Sequence, residues 1–281
     1  MGLQFSLPGK VYLTGAGPGS ASLLTLRALE ALRFADVVFH DDLVSEDVLS
    51  VIPPHVAVHS VGKRCGLKRV SQEQIHNRMI AEARKGRIVV RLKGGDPLIF
   101  GRIQEEISAL REAGVAFEII PGITAATAAA AAAQIPLTER VGASKLVFLS
   151  NHCCAEKTNT QLEENLAQDS TLVFYMPGSN LGDLSERLLR NGLSKELPCL
   201  LVSNVARGAQ RLIRADLRSL SSLAAQASPS LLIVGATVTT AEADEFLLQE
   251  DAAQGEARWH TEDLALDEPA PEDLFESKLP L

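Results

Sequence analysis

The sequence predicts an α/β fold of two α/β domains, the first around a mostly parallel sheet and the second around a mixed one. Three observations carry this. Short apolar runs at 10–15, 36–40, 87–92 and 116–120 alternate with amphipathic stretches at 22–34, 72–85 and 101–113. A βα series of this kind builds a parallel sheet covered on both faces. In the second half, strands are expected at 145–150, 171–176, 198–204, 210–214 and 230–235. The pair at 198–204 and 210–214 is separated by a short loop, which joins only antiparallel neighbours, so that sheet is mixed. Between the halves, Pro121-Gly122-Ile123-Thr124 ends a strand and opens an alanine-rich helix, with Thr124 placed to help cap it. The expected domains are 1–121 and 122–238.

Composition narrows the classes of function. A chain of 281 residues, 46% of them hydrophobic, can bury a sizeable core. The net charge of −8 is unevenly spread, because 239–281 holds thirteen acids against Arg258 and Lys278. That segment, at −11, reads as an acidic, solvated, disordered tail and leaves the first 238 residues at +3. A mildly basic body suits an acidic ligand. It has no stripe of Lys and Arg interleaved with aromatics, so no nucleic-acid partner is expected. Charges interrupt each candidate apolar run, so no membrane span is expected. No basic-then-apolar leader opens the sequence, and the expected location is the cytoplasm. Cys65, Cys153, Cys154 and Cys199 have neither C-x-x-C nor metal-ligand spacing, which points to reduced thiols and no metal.

The stretch LTGAGPGS at 13–20 raises the possibility of a dinucleotide cradle. Counting from Gly15, the third glycine of G-x-G-x-x-G falls on Ser20, and Pro18 removes a backbone N–H from the turn. Asp36 stands near the spacing of an acidic ribose partner, a weak signal alone. No Gly-Lys-Ser/Thr follows, so a P-loop is excluded. A tight strand-to-helix turn explains these glycines better, and a dinucleotide-dependent oxidoreductase is disfavoured.

A stronger signal is RLKGGDPLIFGR at 91–102, where a buried strand runs into two glycines, then Asp96-Pro97, then a helix. Gly94 and Gly95 allow close approach of a ligand to the backbone. With VYLTGAGPGS, ADVVFHDDLV, VGKRCG, FEIIPGITAATAAAAAAQIPLTER, LVFYMPG and LLIVG in order, the chain resembles the tetrapyrrole methylases. Within that superfamily it looks most like the uroporphyrinogen-III C-methyltransferases. The resemblance runs from about Gly9 to Gly235, and its most specific parts are RLKGGDP…FGR and IPLT-x-R.

The resemblance implies a two-domain enzyme of the tetrapyrrole methylase type, with S-adenosylmethionine folded into the cleft between the domains. It implies transfer of methyl groups to uroporphyrinogen III, giving precorrin-2 by way of precorrin-1, with S-adenosylhomocysteine as co-product. Siroheme, cobalamin or heme d1 would be the end product, and the enzyme would be a homodimer. Family positions put Pro18, Gly94, Gly95, Asp96, Ile99, Thr124, Ala125, Met176 and Val205 around the cofactor. The substrate carries eight carboxylates, and Arg102 and Arg140 fall at the positions that bind it, where guanidinium forks match carboxylates. A pyrrole carbon must attack the sulfonium methyl in line, so orientation of two bound reactants is the main catalytic device. A proton must also leave the ring. Asp41 matches the proton acceptor and Lys63 the donor, with Arg102 and Glu105 as further catalytic candidates.

The chain departs from the family pattern in several places. Ile103-Gln104 stand where Gly-Gly is usual, putting bulk beside Arg102. His40 replaces a tyrosine, and Val205 replaces a small residue. Ser150-Asn151-His152-Cys153-Cys154 replaces a Thr-Gly-His start, and Asn204-Val205-Ala206-Arg207 replaces a small-residue-then-threonine pattern. Two alternatives follow, a sibling precorrin methyltransferase and a non-catalytic paralogue that keeps the cofactor. A ribosomal-RNA or diphthamide methylase would carry other sequence after Gly-Asp-Pro.

Overall fold

Strand β1 (Lys10–Gly15) lies inside a five-stranded sheet with β2 (Val37–His40), β3 (Ala57–Ser60), β4 (Ile88–Lys93) and β5 (Ala116–Ile120). The order is β3-β2-β4-β1-β5 and every pairing is parallel. The computed structural model describes residues 9–62, 71–140, 142–150, 169–223 and 228–238. Period-two alternation sorts the strand side chains between two cores. Val11, Leu13, Val37, Phe39 and Val89 pack with α3 (Gln72–Arg84) and α4 (Ile103–Glu112). Val38, Val90 and Leu92 pack with α1 (Leu26–Phe34) and α2 (Glu46–Ser50) on the other face. Covering both faces is what a parallel sheet requires.

Capping residues set where the helices begin. The Thr25 hydroxyl accepts from Ala28 N at 3.1 Å, so the helix expected over 22–34 starts only at Leu26, after a 3₁₀ turn at Ala21–Leu23. Ser71 and Gln74 form a reciprocal capping box at the start of α3. Helix α2 and strand β3 lie outside the sequence expectation, since both are short and β3 is an exposed edge. Asp36, the weak ribose-partner candidate, accepts from Ile88 N at 2.7 Å. It therefore ties β2 to β4 at the amino end of the sheet, opposite the glycine turns.

The second sheet has the order β6-β7-β10-β8-β9. Its strands are β6 (Lys145–Ser150), β7 (Ser170–Tyr175), β8 (Pro198–Ser203), β9 (Arg211–Asp216) and β10 (Ser230–Val234). Only β6 and β7 pair in parallel, so the sheet is mixed as expected. Helix α5 (Ala125–Ala132) covers one face, its alanines packing on Val173, Leu200, Val202, Leu231 and Ile233. Helix α6 (Leu181–Arg190) covers the other through Leu181, Leu184 and Leu188. Full burial of each leucine contributes about 1.5–3 kcal/mol. Helix α6 lies outside the sequence expectation, although this leucine spacing and the Asn180 cap, 3.2 Å from Asp183 N, carry it.

The cap expected from Thr124 is a correction. Thr124 occupies the N-cap position of α5 but makes no side-chain cap bond, because its hydroxyl pairs with the Tyr175 hydroxyl at 2.5 Å. Both sheets belong to one compact unit. Among the described residues, no helix is long and apolar enough to cross a membrane. The acidic segment 239–281, Lys63, Cys65, Cys153 and Cys154 lie outside the described residues.

Candidate active site

The parallel strands deliver their loops to one end of the first sheet. Gly15 at the end of β1 pairs in register with Lys93 at the end of β4, and His40 pairs with Leu92. Beyond these ends Gly17 N donates to Gly95 O at 3.1 Å and Gly95 N donates to Gly17 O at 2.7 Å. Both glycines are left-handed, at φ +69° and +67°, a region that costs other residues about 1–2 kcal/mol. The loop after β5 closes on the same point. A Cβ on Gly122 would lie 2.4 Å from Gly95 O, and one on Gly15 would lie 2.6 Å from Gly122 Cα. Three loops therefore interlock through bare backbone. Gly95 differs from its neighbours in one respect, since its missing Cβ points into space with nothing within 4 Å among the described residues.

Asp96 serves this interlock directly. Its Oδ2 accepts from Gly122 N at 3.0 Å and its Oδ1 from Leu98 N at 2.7 Å. Gly94 lies under Leu43, whose Cβ would be 2.8 Å from an added methyl. Ile99 is half-buried in the turn that follows, its N–H donating to Asp96 O at 3.2 Å. Pro18 is buried in the glycine turn. Phe100 packs against Tyr175 with the rings tilted by 57° and 5.1 Å between centroids. This contact brings the end of β7, and Met176 after it, against the 94–102 loop. Met176 is left-handed at φ 52° and 47% exposed. Ala125 is half-buried at the start of α5. Val205 points into the core under α5, so only its backbone is available to a ligand.

Beside the glycine bridge lies a buried group of four charges. Arg91 donates through Nε to Glu106 Oε1 at 2.9 Å, through Nη1 to Phe39 O at 3.2 Å, and through Nη2 to Asp41 Oδ1. Lys93 Nζ donates to Glu106 Oε1 at 3.0 Å and stands 3.9 Å from Asp41 Oδ2. The side chains of Arg91, Lys93 and Glu106 are 1%, 5% and 0% exposed, whereas that of Asp41 is 30% exposed. Burial pulls the Arg91 guanidinium down, but the Asp41 and Glu106 carboxylates outweigh it and hold it above its ordinary value. His40 is buried next to Asp41, its Nδ1 hydrogen-bonded to Asp41 O at 3.0 Å.

The other predicted catalytic and substrate residues lie outside this group. Arg102 sits at the N-cap of α4 with φ 53° and grips Glu105 at 2.7 and 2.9 Å, with a side chain 59% exposed. Hydrogen bonding to Glu105 raises the Arg102 guanidinium, and the same contact lowers the Glu105 carboxyl. Glu105 lines an outer groove between α3 and α4, so the carboxylate joined to Asp41 through shared cations is Glu106. The bulk expected beside Arg102 divides: Ile103 turns into the core, and Gln104 stays outside, donating to Ser108 at 3.4 Å. Arg140 is exposed next to a bridge between Glu139 and Ala143.

Residues 10–221 match the family model of tetrapyrrole (corrin/porphyrin) methylases. The chain belongs to that family. It is 44% identical over 228 residues to a siroheme synthase of Zymomonas mobilis, a match that covers 81% of this chain and 48% of the relative. It thus spans about half the length of the curated relatives it matches. A crystal structure of uroporphyrin-III-C-methyltransferase from Thermus thermophilus superimposes with a TM-score of 0.70 at 39% identity. That match covers 83% of this chain and 95% of that one. A further structure of uroporphyrin-III C-methyl transferase from the same organism is complexed with S-adenyl homocysteine. Its TM-score is 0.68 at 35% identity, covering 82% of this chain and 98% of that one.

Two features of the site lie outside the sequence expectation. Arg91, Lys93 and Glu106 were not singled out as a group, yet each breaks an apolar pattern. Arg91 and Lys93 follow Val89 on one face of a buried strand, and Glu106 falls within the buried stripe Ile103, Ile107, Leu110 of α4. Arg207 was noted only as a departure. It reaches from the β8–β9 loop to donate to Leu43 O and, at 3.5 Å, to Pro18 O. Its Cγ stands 2.6 Å from where a Gly19 Cβ would be, and burial lowers its guanidinium.

Proposed function

We propose that this methylase is a uroporphyrinogen-III C-methyltransferase that uses S-adenosylmethionine and makes precorrin-2 by way of precorrin-1. The observation that carries this reading is the juxtaposition of an open glycine cradle at Gly95 with the part-exposed carboxylate of Asp41 at one end of the parallel sheet. The cradle fits the cofactor. Gly95 leaves space where a side chain would stand, and Met176 and Leu98 supply exposed apolar surface. The identities to uroporphyrin-III C-methyltransferases and a siroheme synthase support the substrate.

When bound, S-adenosylmethionine supplies an electrophilic methyl on a sulfonium. The residues of the chain do the rest. The backbone of Gly94, Gly95, Thr124, Ala125 and Val205, with Pro18, Asp96, Ile99 and Met176, binds and orients the cofactor. Arg102 and Arg140 hold carboxylates of the tetrapyrrole, Arg102 by exchanging Glu105 for a substrate carboxylate. Asp41 takes the proton that the ring releases after methyl transfer, with Lys63 as the donor. A homodimer belongs to this proposal, and light scattering should return twice the 30.1 kDa chain mass.

The test is an anaerobic incubation of the protein with S-adenosylmethionine and uroporphyrinogen III, followed by mass analysis of the tetrapyrrole. A gain of two methyl groups is the expected result. Cofactor binding without any gain would sink the substrate assignment, and methylation of a later precorrin alone would identify a sibling enzyme.

A further inference from the structure

We propose that Glu106 is a positioning residue that holds Asp41 in place for proton removal, acting through Arg91 and Lys93. The inference rests on the reading of Asp41 as the base and assigns a role to a carboxylate that meets no ligand.

The geometry is specific. A single oxygen of Glu106, Oε1, accepts from both Arg91 Nε at 2.9 Å and Lys93 Nζ at 3.0 Å. The same two cations reach the two oxygens of Asp41, Arg91 to Oδ1 and Lys93 towards Oδ2 at 3.9 Å. Two carboxylates thus share two cations, with Glu106 fully buried behind them and Asp41 at the solvent edge. The cations have little freedom of their own. Arg91 is further fixed by Phe39 O at 3.2 Å and Leu92 O at 3.3 Å, and both lie on β4 inside the sheet.

Removing the Glu106 charge would leave two buried cations with Asp41 as their only ionised partner in the group. Asp41 would then be drawn inward to neutralise both, away from the cleft. With Glu106 present, the inner carboxylate satisfies the cations, and Asp41 is aligned without being withdrawn. Among the described residues, Glu106 Oε2 is buried and has no hydrogen-bond partner. A residue retained only for its own hydrogen bonding would not leave an oxygen orphaned at 0% exposure. The expense is explained if the function of the group is to fix the cations.

The experiment compares wild type, Asp41→Asn, Glu106→Gln and the Asp41→Asn/Glu106→Gln double variant. The readouts are the anaerobic rate of S-adenosylhomocysteine formation with uroporphyrinogen III and calorimetric binding of S-adenosylhomocysteine. Glu106→Gln should lower kcat by at least about tenfold, since misplacement of a reacting group by about 1 Å has effects of that size or larger. Binding of S-adenosylhomocysteine should change by less than about twofold, and Glu106→Asp should recover part of the rate. In the Asp41→Asn background the Glu106→Gln loss should vanish, because coupled residues are not additive. A merely structural Glu106 would give the same loss in both backgrounds, and that result overturns the proposal. So does a Glu106→Gln variant with wild-type kcat.

If Glu106→Gln binds no S-adenosylhomocysteine, the charge-balanced pair Lys93→Met/Glu106→Gln decides. It leaves Arg91 against Asp41 with no surplus positive charge, so recovery of most of the wild-type kcat supports the proposal, whereas a loss of about tenfold or more overturns it. The underlying reading fails separately. Asp41→Asn at wild-type rate removes the base and the positioning role with it, and a wild type inactive on uroporphyrinogen III removes the substrate and, with it, the proposal. A slow Asp41→Asn beside a fast Glu106→Gln removes only the present inference.

Discussion

At the scale of single residues, two glycines a few ångströms apart have opposite sensitivities. Gly122 has backbone at 2.4 Å from its missing Cβ, whereas among the described residues Gly95 has nothing within 4 Å. Gly122→Ala must push whole loops apart and should lower the thermal midpoint sharply, by several kcal/mol of strain. Gly95→Ala meets only the left-handed backbone penalty of about 1–2 kcal/mol, so the protein should stay folded. Its added methyl enters the cradle, and calorimetry should show S-adenosylhomocysteine affinity reduced by tenfold or more. Equal losses of affinity and stability in both variants would contradict this division. Arg102 gives the converse case. Its pair with Glu105 is exposed on both sides, and such pairs contribute about 0–1 kcal/mol. Arg102→Ala should therefore melt within a few degrees of wild type while losing most of its methyl transfer.

At the scale of elements, much was legible and the omissions have physical reasons. All five strands of the second sheet and four of the five in the first follow from apolar runs bounded by turns, because burial of both faces writes continuous hydrophobic segments. Strand β3 escapes because an exposed edge needs no apolar alternation. The glycine bridge was legible as closely approached backbone, but not as an interlock of three loops, since Gly122 is over one hundred residues from Gly15 in sequence. Period-based reading treats a charge in an apolar stripe as noise. For Glu106 in α4 that charge is the informative residue, and only packing reveals its partners Arg91 and Lys93 on β4. The same buried strands set a pH response. Cys199 on β8 is buried in the second core, and desolvation pushes its thiol from 9.0 up to about 12. A folded-state value above the unfolded one stabilises fully below about pH 9 and is lost as pH rises towards 12. Denaturant melts of Cys199→Ala should accordingly show a shallower decline in stability over that range than wild type, and an unchanged decline would contradict the burial effect.

At the scale of the whole molecule, Arg207 links the loops of the two sheets across a long stretch of sequence. Its guanidinium spans Leu43 O and Pro18 O, so it holds the β8–β9 loop against the turn that precedes α1. Hydrogen bonds from a charged donor contribute about 1.5–3 kcal/mol. Arg207→Ala should reduce affinity for S-adenosylhomocysteine several-fold with a drop of a few degrees in the melting midpoint. Arg207→Lys should behave nearly as poorly, because a single ammonium cannot reproduce a planar fork across two carbonyls. Affinity unchanged in both variants would mean that the contact serves only to fill space.

Arg207 lies 189 residues from Pro18 and 164 from Leu43 along the chain. During synthesis the first sheet has all its strands long before this arginine leaves the ribosome. Domains tend to fold in the order in which they emerge, and contacts so distant in sequence close late. If the first sheet forms first, its glycine turn should stay unlatched, and the proposed cofactor site incomplete, until the β8–β9 loop arrives. Ligand binding in a pulse-labelled refolding or translation experiment should lag behind protection of β1 and β4.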